Sequence, residues 1–340
     1  MAGFSYVDEM NRDKMSRNKM NRNKMNGDKM SRIEAGFQEF CIMAASDLHY
    51  LSPQLMEYSG KFRELCEALQ EPEMERLEEF MEKWLRRVME AKPDALLITG
   101  DLSYQGEKLS HVQLAGKLAR LVRAGIPVYV VPGNQDMDNP FSTCWRPKGI
   151  MDHTPAETVS PLEFQEIYSS MGYGNGMECS GGVVSRAPDS LSYQVCLHKP
   201  SGAMLYLFML DTTIPGSSVG RIAPGTLGWL EKRLAKIRKK LPCLIAGHHP
   251  MFALNETVSP FVLENGQELD RLMRRYGTSL YVSGHLHQAG TAGSPQQKRE
   301  KNEGKRVLQK WLYGITGKGN SRTSPVNIYL EKRGLRLFRS

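Results

Sequence analysis

Apolar runs alternate with amphipathic stretches through the first half of the chain. Short apolar runs predict strands at residues 39–45, 95–99 and 126–131. Between them, apolar residues spaced three and four apart predict helices at 73–90 and 111–124. Strands that alternate with helices lie parallel in one sheet, because the helices carry the chain back across its face. The pattern therefore predicts an α/β fold.

The second half of the chain continues this alternation after a long stretch rich in Pro and Gly. Residues 139–190 form that stretch, and we expect it to be a loop over the functional site. The other predicted elements are a short helix at 161–171, a β-hairpin of 191–197 and 204–210, helices at 224–240 and 267–276, and strands at 244–246 and 279–282. Weaker strand-like runs close the chain at 307–312, 326–330 and 335–338.

The two ends of the chain are more basic than its middle. Residues 1–32 carry eight Lys/Arg against four Asp/Glu, and residues 297–340 carry twelve against three. Between residues 10 and 30 a Met- and Lys-containing pattern repeats every five residues, a period that fits neither a helix nor a strand. We therefore predict a disordered pentapeptide-repeat tail at 1–35, a folded domain at 36–296 and a divergent basic segment at 297–340.

The overall composition excludes several classes of protein. The chain is 40% hydrophobic and 24% charged, as globular domains are. Its apolar runs are far shorter than the roughly 20 residues of a membrane helix, and its N-terminus lacks the apolar stretch of a secretory signal, so we expect a cytoplasmic location. The six cysteines form no Cys-x-x-Cys pair, which argues against a zinc ribbon or a redox motif. Nucleic-acid binding by the basic ends is an alternative that charge alone does not favour.

Polar residues follow five of the predicted strands. Asp47 and His49 follow the first strand, and on an extended backbone residues two apart point to the same side. The later clusters are Asp101, then Asn134, Gln135 and Asp136, then His248 and His249, then His285 and His287. Ligand sites of parallel sheets lie beyond the carboxyl ends of the strands. Five of the eight histidines lie in these clusters, so we expect the clusters to form one site.

These side chains suit divalent cations. Asp, Asn and His supply oxygen and nitrogen ligands without sulfur, in a number too large for one tetrahedral zinc ion. Two cations that share a carboxylate would use such a set.

The order of the motifs resembles the calcineurin-like metallophosphoesterase family, which includes class III cyclic-nucleotide phosphodiesterases and purple acid phosphatases. The motifs are Asp-x-His, Gly-Asp, Gly-Asn-x-Asp, Gly-His-His-Pro and Gly-His-x-His, and they span about residues 38–290. The resemblance implies a four-layer α/β/β/α sandwich. It also implies hydrolysis of a phosphodiester or phosphomonoester by a water molecule that two divalent or mixed-valence ions, such as Mn, Fe or Zn, activate.

The resemblance also implies a division of the ligands. The first metal is assigned to Asp47, His49, Asp101 and His287, and the second to Asp101, Asn134, His248 and His285. Asp101 is then the bridge between the two ions. His249 is not a ligand in the family, and we expect it to lie behind the ligands or to face the phosphate.

Gln135 is the main departure from the family pattern. The family usually has a histidine there, oriented by a neighbouring carboxylate, and that histidine protonates the leaving group or stabilises the transition state. Glutamine donates a hydrogen bond but delivers no proton near pH 7. The catalytic candidates are Asn134, Gln135, Asp136 and His249. We expect a phosphohydrolase whose activity on a small phosphorylated substrate is impaired or specialised by Gln135. The alternative is a metal-binding pseudoenzyme that recognises a phosphorylated ligand with little or no turnover. The oligomeric state stays open.

Overall fold

A computed structural model describes nine stretches of the chain. They are residues 40–69, 71–174, 182–237, 241–253, 261–278, 280–287, 290–293, 326–329 and 335–339. The pentapeptide repeats and the strand predicted at 307–312 lie outside them. In the described stretches, no helix combines the length and the apolarity needed to cross a membrane.

The first sheet has four strands, of which three are parallel. Its strands are β1 (Cys41–Ala45), β2 (Ala95–Thr99), β3 (Val128–Val131) and β13 (Leu335–Arg339), in the order β13-β1-β2-β3. β13 runs antiparallel to β1. β2 and β3 are buried along their whole length, which explains their unbroken apolar sequences.

The second sheet has seven strands and is mixed. It contains β6 (Val183–Arg186), β7 (Tyr193–His198), β8 (Met204–Leu210), β9 (Cys243–Gly247), β10 (Leu280–Ser283), β11 (Gly290–Gly293) and β12 (Val326–Tyr329), in the order β11-β12-β10-β9-β8-β7-β6. β8, β9, β10 and β12 are parallel to one another. β7 and β8 form the predicted antiparallel hairpin. A small separate hairpin pairs β4 (Thr143–Cys144) with β5 (Thr154–Pro155).

Six helices are described. They are α1 (Gly60–Ala68), α2 (Leu77–Ala91), α3 (Lys108–Arg123), α4 (Pro161–Ile167), α5 (Pro224–Lys236) and α6 (Gly266–Tyr276). α2 and α3 pack on the first sheet, within a core that extends to the inner face of the second sheet. α5 and α6 pack on the outer face of the second sheet, in a separate core.

Alternate residues of β8 explain why the second sheet is covered on both faces. Leu207 and Met209 belong to the core between the sheets, whereas Phe208 and Leu210 belong to the core under α5 and α6. The hydroxyl of Tyr193 in β7 also donates to the carbonyl of Val130 in β3 at 2.8 Å. The layers are therefore helices, sheet, sheet, helices, and the predicted α/β/β/α sandwich is confirmed.

Several element boundaries differ from the predictions. The helix predicted at 73–90 is a 3₁₀ turn at Pro72–Arg76 followed by α2, and the one predicted at 161–171 is α4 followed by a 3₁₀ turn at Ser169–Met171. α1 was missed, because only Phe62 and Cys66 of its nine residues are buried and its apolar stripe is narrow.

The last two strands connect the C-terminal part of the chain with the main fold. β12 pairs with β10 in the second sheet, and β13 pairs with β1 in the first. Both strands fall in the segment 297–340, which the sequence suggested to be divergent. These two strands belong to the sandwich, whereas the division of the rest of the chain into three parts stays a prediction.

Candidate metal centre

The loops after five strands meet at one edge of the two sheets. Asp47 follows β1, and its backbone N–H donates to the carbonyl of Gly100 at the end of β2, at 3.0 Å. The backbone N–H of His285, which follows β10, donates to both carboxylate oxygens of Asp47 at 3.1 Å. These bonds join the first sheet to the second, so strand ends from both sheets share one site.

The backbone at this site is strained. In the described part of the chain, seven non-glycine residues have a positive φ, and five of them are predicted ligands: Asp47 (53°), His49 (43°), Asp101 (47°), His285 (71°) and His287 (52°). Side chains with a Cβ rarely adopt this conformation, and such strain concentrates at functional sites. The expectation of an extended backbone at Asp47 and His49 was therefore wrong, because left-handed turns bring the two side chains together.

Glycines allow the strand ends to approach one another. A Cβ on Gly133 would clash with the carboxylate of Asp101, and a Cβ on Gly284 would clash with the side chains of Ser46 and Asp47. The Gly-Asn and Gly-His pairs of the sequence thus have a steric cause. The glycine leaves room for a ligand from another strand, and the next residue supplies a ligand of its own.

One group of donors consists of Asp47, His49 and His287. The Nε2 atoms of His49 and His287 are 3.0 Å apart, and Nε2 of His287 is 3.5 Å from Oδ1 of Asp47. Nε2 of His49 is also 3.9 Å from Oδ2 of Asp101. Asp47 and His49 are buried, whereas the side chain of His287 is 39% exposed and marks the side open to solvent.

A second group surrounds His248. Its Nε2 is 3.0 Å from Oδ1 of Asn134, 3.1 Å from Nδ1 of His285 and 3.5 Å from Oδ2 of Asp101. Oδ2 of Asp101 therefore lies between the two groups. Its other oxygen, Oδ1, accepts the backbone N–H of Gln135 at 3.0 Å.

The donors fit the metal ions that the family implies. Three sets of three His or Asp residues are close enough to hold an ion. Within each set, one ligand atom of each residue lies within 4.8 Å of those of the other two. The facing ring nitrogens of His49 and His287 are 3.0 Å apart, and those of His248 and His285 are 3.1 Å apart. One cation can therefore bind to both nitrogens of a pair. Oxygen and nitrogen ligands without sulfur suit Mn, Fe or Zn, and the identity of the metal stays open.

The electrostatics of the centre favour a cation. Burial raises the pKa of Asp101, but the charge of His248 and its contact with the carboxylate lower it. The net pKa lies well below the usual value, so the carboxyl stays ionised. Burial lowers the pKa of His248, yet the negative charge of Asp101 brings it up to about 9. Burial, together with the charge of His248, lowers the pKa of His285 to about 4. A buried, ionised carboxylate thus stands at the middle of the site.

A backbone carbonyl fixes the orientation of His248. Its Nδ1 lies 2.9 Å from the carbonyl oxygen of Thr99 in β2. A carbonyl only accepts hydrogen bonds, so Nδ1 carries a proton in either charge state, and a bound cation would take the place of the second proton on Nε2. Metal-ligating histidines are commonly held in this way.

Asp136 is fully buried, and backbone groups occupy its carboxylate. Oδ1 accepts the N–H groups of Leu102 and Ser103, both at 2.9 Å, and Oδ2 accepts the N–H of Gly133 at 2.8 Å. We predicted a catalytic role for Asp136. Its contacts instead favour a positioning role, because they tie the loop after β2 to the loop after β3.

Asp136→Asn should destabilise the protein. Asparagine replaces one acceptor oxygen by an NH₂ group, which then faces backbone N–H groups in a buried place. We expect the free energy of unfolding to fall by about 1–3 kcal/mol in urea denaturation followed by circular dichroism. Asp152→Asn, at an exposed carboxylate between β4 and β5, is the control and should change it by less than about 0.5 kcal/mol. Equal effects of the two substitutions would contradict the positioning role.

The other catalytic candidates lie beside the donors. Gln135 is half-buried, and its backbone carbonyl accepts the side-chain N–H of Asn139 at 3.2 Å; a role for its side chain stays a prediction. The ring of His249 lies 4.6 Å from that of His285 and 4.9 Å from that of His248, between centroids. The structure thus brings all seven predicted ligands, with Gln135 and His249, to one place.

Thr212 and Tyr104 also lie at the centre, although the motifs do not single them out. The hydroxyl of Thr212 is 2.8 Å from Nδ1 of His249. The ring centroid of Tyr104 is 6.3 Å from that of His49. Thr212 comes shortly after β8, so the rule that polar residues follow strands would have found it. Tyr104 lies beyond Asp101, in a loop whose sequence gives no such signal.

Comparisons with known proteins point to one family. A family model described as calcineurin-like phosphoesterase matches residues 41–289. A cAMP/cGMP dual specificity phosphodiesterase of Mycobacterium tuberculosis is 24% identical over 202 residues, which are 59% of this chain and 51% of that protein. A 3′,5′-cyclic-nucleotide phosphodiesterase of Nostoc is 28% identical over 208 residues, or 60% of either protein. The chain thus spans about half to three fifths of the length of these relatives.

Solved structures agree on the fold. A dimetal phosphatase from Danio rerio aligns with a TM-score of 0.50 and 13% identity, over 86% of this chain and 87% of that one. A purple acid phosphatase from yellow lupin aligns with a TM-score of 0.53 and 13% identity, over 88% of this chain and 45% of that one. At such low identity these alignments concern the fold alone. The family model, in contrast, covers most of the chain, and the protein therefore belongs to the calcineurin-like phosphoesterase family.

Proposed function

We propose that the protein is a phosphohydrolase that uses two metal ions. The observation that carries the proposal is the position of Asp101 Oδ2, which lies 3.9 Å from Nε2 of His49 in one donor group and 3.5 Å from Nε2 of His248 in the other. A carboxylate oxygen between two sets of nitrogen donors suits a bridging ligand. Mn, Fe and Zn are all compatible with this set of ligands.

The chain's own residues have distinct tasks in this proposal. Two ions held there would activate a water molecule and stabilise the charge of the phosphoryl group. Asp47 and Asp101 are buried, so the positions of their carboxylates are fixed. The more exposed His287 borders the side from which a substrate enters. Gln135 lies next to the bridging carboxylate and offers hydrogen bonds but no proton.

We propose a small phosphodiester as the substrate, with phosphomonoesters as the alternative. The support is the names of the relatives, several of which are cyclic-nucleotide phosphodiesterases. Because the chain spans only part of those proteins, the substrate needs its own test. A location in the cytoplasm belongs to the same proposal.

Metal removal and reconstitution test the proposed function. We expect the purified chain to bind about two metal ions, as measured by plasma mass spectrometry, and to hydrolyse bis(p-nitrophenyl) phosphate faster than p-nitrophenyl phosphate. A chelator should abolish hydrolysis, and Mn, Zn or Fe should restore it. Protein that takes up no metal would refute the proposal. Protein that takes up metal and binds phosphate, but hydrolyses neither ester, would be the pseudoenzyme instead.

A further inference from the structure

His249 has one ring nitrogen without a partner. Its side chain is fully buried, and within the described part of the chain no group forms a hydrogen bond with its Nε2. A buried polar atom without a partner is costly, so such atoms point to a group that binds in the working protein. The ring lies against those of His248 and His285, at the second donor group. The missing partner therefore belongs in the metal centre.

The rest of the residue is held firmly. The hydroxyl oxygen of Thr212 accepts the backbone N–H of His249 at 3.2 Å, and the hydroxyl of Tyr281 donates to its backbone carbonyl at 2.8 Å. The ring packs on Gly220, where any Cβ would clash with it. Backbone and ring are thus fixed from three sides, and only the Nε2 atom is left for a ligand.

The partners of Nδ1 distinguish His249 from His248. Nδ1 of His248 faces the carbonyl of Thr99, so it carries a proton, and Nε2 is the atom left for a cation. Nδ1 of His249 faces the hydroxyl of Thr212 at 2.8 Å, and this hydroxyl already accepts the N–H of His249. Among the described hydrogen bonds, Nδ1 is the one acceptor that the buried hydroxyl proton reaches. With Nδ1 as this acceptor, the ring proton of His249 lies on Nε2, whereas Nδ1 of His248 carries a proton.

We propose that His249 uses its Nε2–H to donate a hydrogen bond to a phosphoryl oxygen at the metal centre. In the opposite tautomer, Nε2 would be an additional metal ligand, as its grouping with His248 and His285 would permit. That tautomer leaves the buried Thr212 hydroxyl without an acceptor. The proposal rests on the proposed function, because it assigns the phosphoryl group to this centre.

Two substitutions of His249 separate the ring nitrogens. His249→Asn keeps a polar atom near the Nδ1 position and removes the Nε2 donor, whereas His249→Gln places an N–H near the Nε2 position. We expect His249→Asn to keep the native metal content and to bind inorganic phosphate about 10–100-fold more weakly in calorimetry, as the loss of a hydrogen bond to a charged group predicts. His249→Gln should restore part of the affinity. His198→Asn, at an exposed histidine on the far end of β7, is the control.

The tautomer has a readout that needs neither metal nor turnover. In ¹⁵N NMR spectra of the metal-free native chain, the ring signals that disappear in His249→Asn should report a protonated Nε2 and an unprotonated Nδ1. Thr212→Val removes the hydroxyl donor and should shift these signals toward the other tautomer, which keeps the test open if the His249 variants fold poorly.

Three results would overturn the proposal. They are a protonated Nδ1, the loss of one metal ion in His249→Asn, and unchanged phosphate binding in that variant at full metal content. Failure of the proposed function looks different, because native protein that binds metal and phosphate without hydrolysis can still have the predicted tautomer and the predicted donor.

Discussion

Asp101→Asn should empty both metal sites and reduce hydrolysis more than any other single substitution of a ligand. Oδ1 of Asp101 accepts the backbone N–H of Gln135, and Oδ2 lies between His49 and His248. Asparagine has one acceptor oxygen. If its oxygen stays with Gln135, its NH₂ group faces the ligands and has no lone pair for a metal. If the side-chain amide flips, its NH₂ group faces the backbone N–H of Gln135 in a buried place.

The measurement is the metal content of the purified variant together with hydrolysis of bis(p-nitrophenyl) phosphate. Changing a residue that only supports a ligand costs about 10–100-fold in metal affinity or activity. Loss of the bridging ligand should exceed that, so we expect activity to fall by more than about 100-fold. Asp138→Asn is the matched control, because Asp138 is exposed, lies on the neighbouring loop and also has a positive φ, which asparagine tolerates. Retention of both metals by Asp101→Asn would contradict the bridging role.

The sequence predicts well which side chains meet at this edge of the sheets, because their signal is local. Asp47, Asp101 and His248 each follow an apolar run by one to three residues, and in parallel sheets such positions converge. The same rule covers Thr212 after β8, but threonine is too common in loops to attract attention alone. The left-handed backbone of Asp47 and His49 has no such signal, because it results from hydrogen bonds to the loop after β2, far away in the chain.

Long-range contacts also explain why the sequence does not reveal the positioning role that the structure favours for Asp136. Its place in the Gly-Asn-x-Asp motif suggests catalysis, yet its carboxylate accepts backbone N–H groups of Leu102 and Ser103 that are more than thirty residues away. In the same way, β12 and β13 lie in a basic sequence without clear periodicity. Only their pairing with β10 and β1 reveals that they are part of the sandwich.

Gln135→His should increase the hydrolysis of esters with poor leaving groups. The backbone N–H of Gln135 donates to Asp101 Oδ1 at 3.0 Å, which holds this residue beside the bridging carboxylate. A protonated imidazole there can give a proton to the departing oxygen, which an amide cannot do. General acid catalysis contributes about 10²–10⁴-fold. We therefore expect kcat for 3′,5′-cyclic AMP, whose leaving group is an alkoxide, to rise at least about 100-fold.

The choice of substrate makes the result specific to proton transfer. p-Nitrophenolate leaves without a proton, so the rate for bis(p-nitrophenyl) phosphate should change little in Gln135→His. Gln135→Asn keeps an amide at this position and should improve neither substrate. An equal gain on both esters would indicate better metal binding rather than acid catalysis, which the metal content of the variant would reveal. If the native chain already hydrolyses both esters at similar rates, a proton donor other than residue 135 must act at the centre.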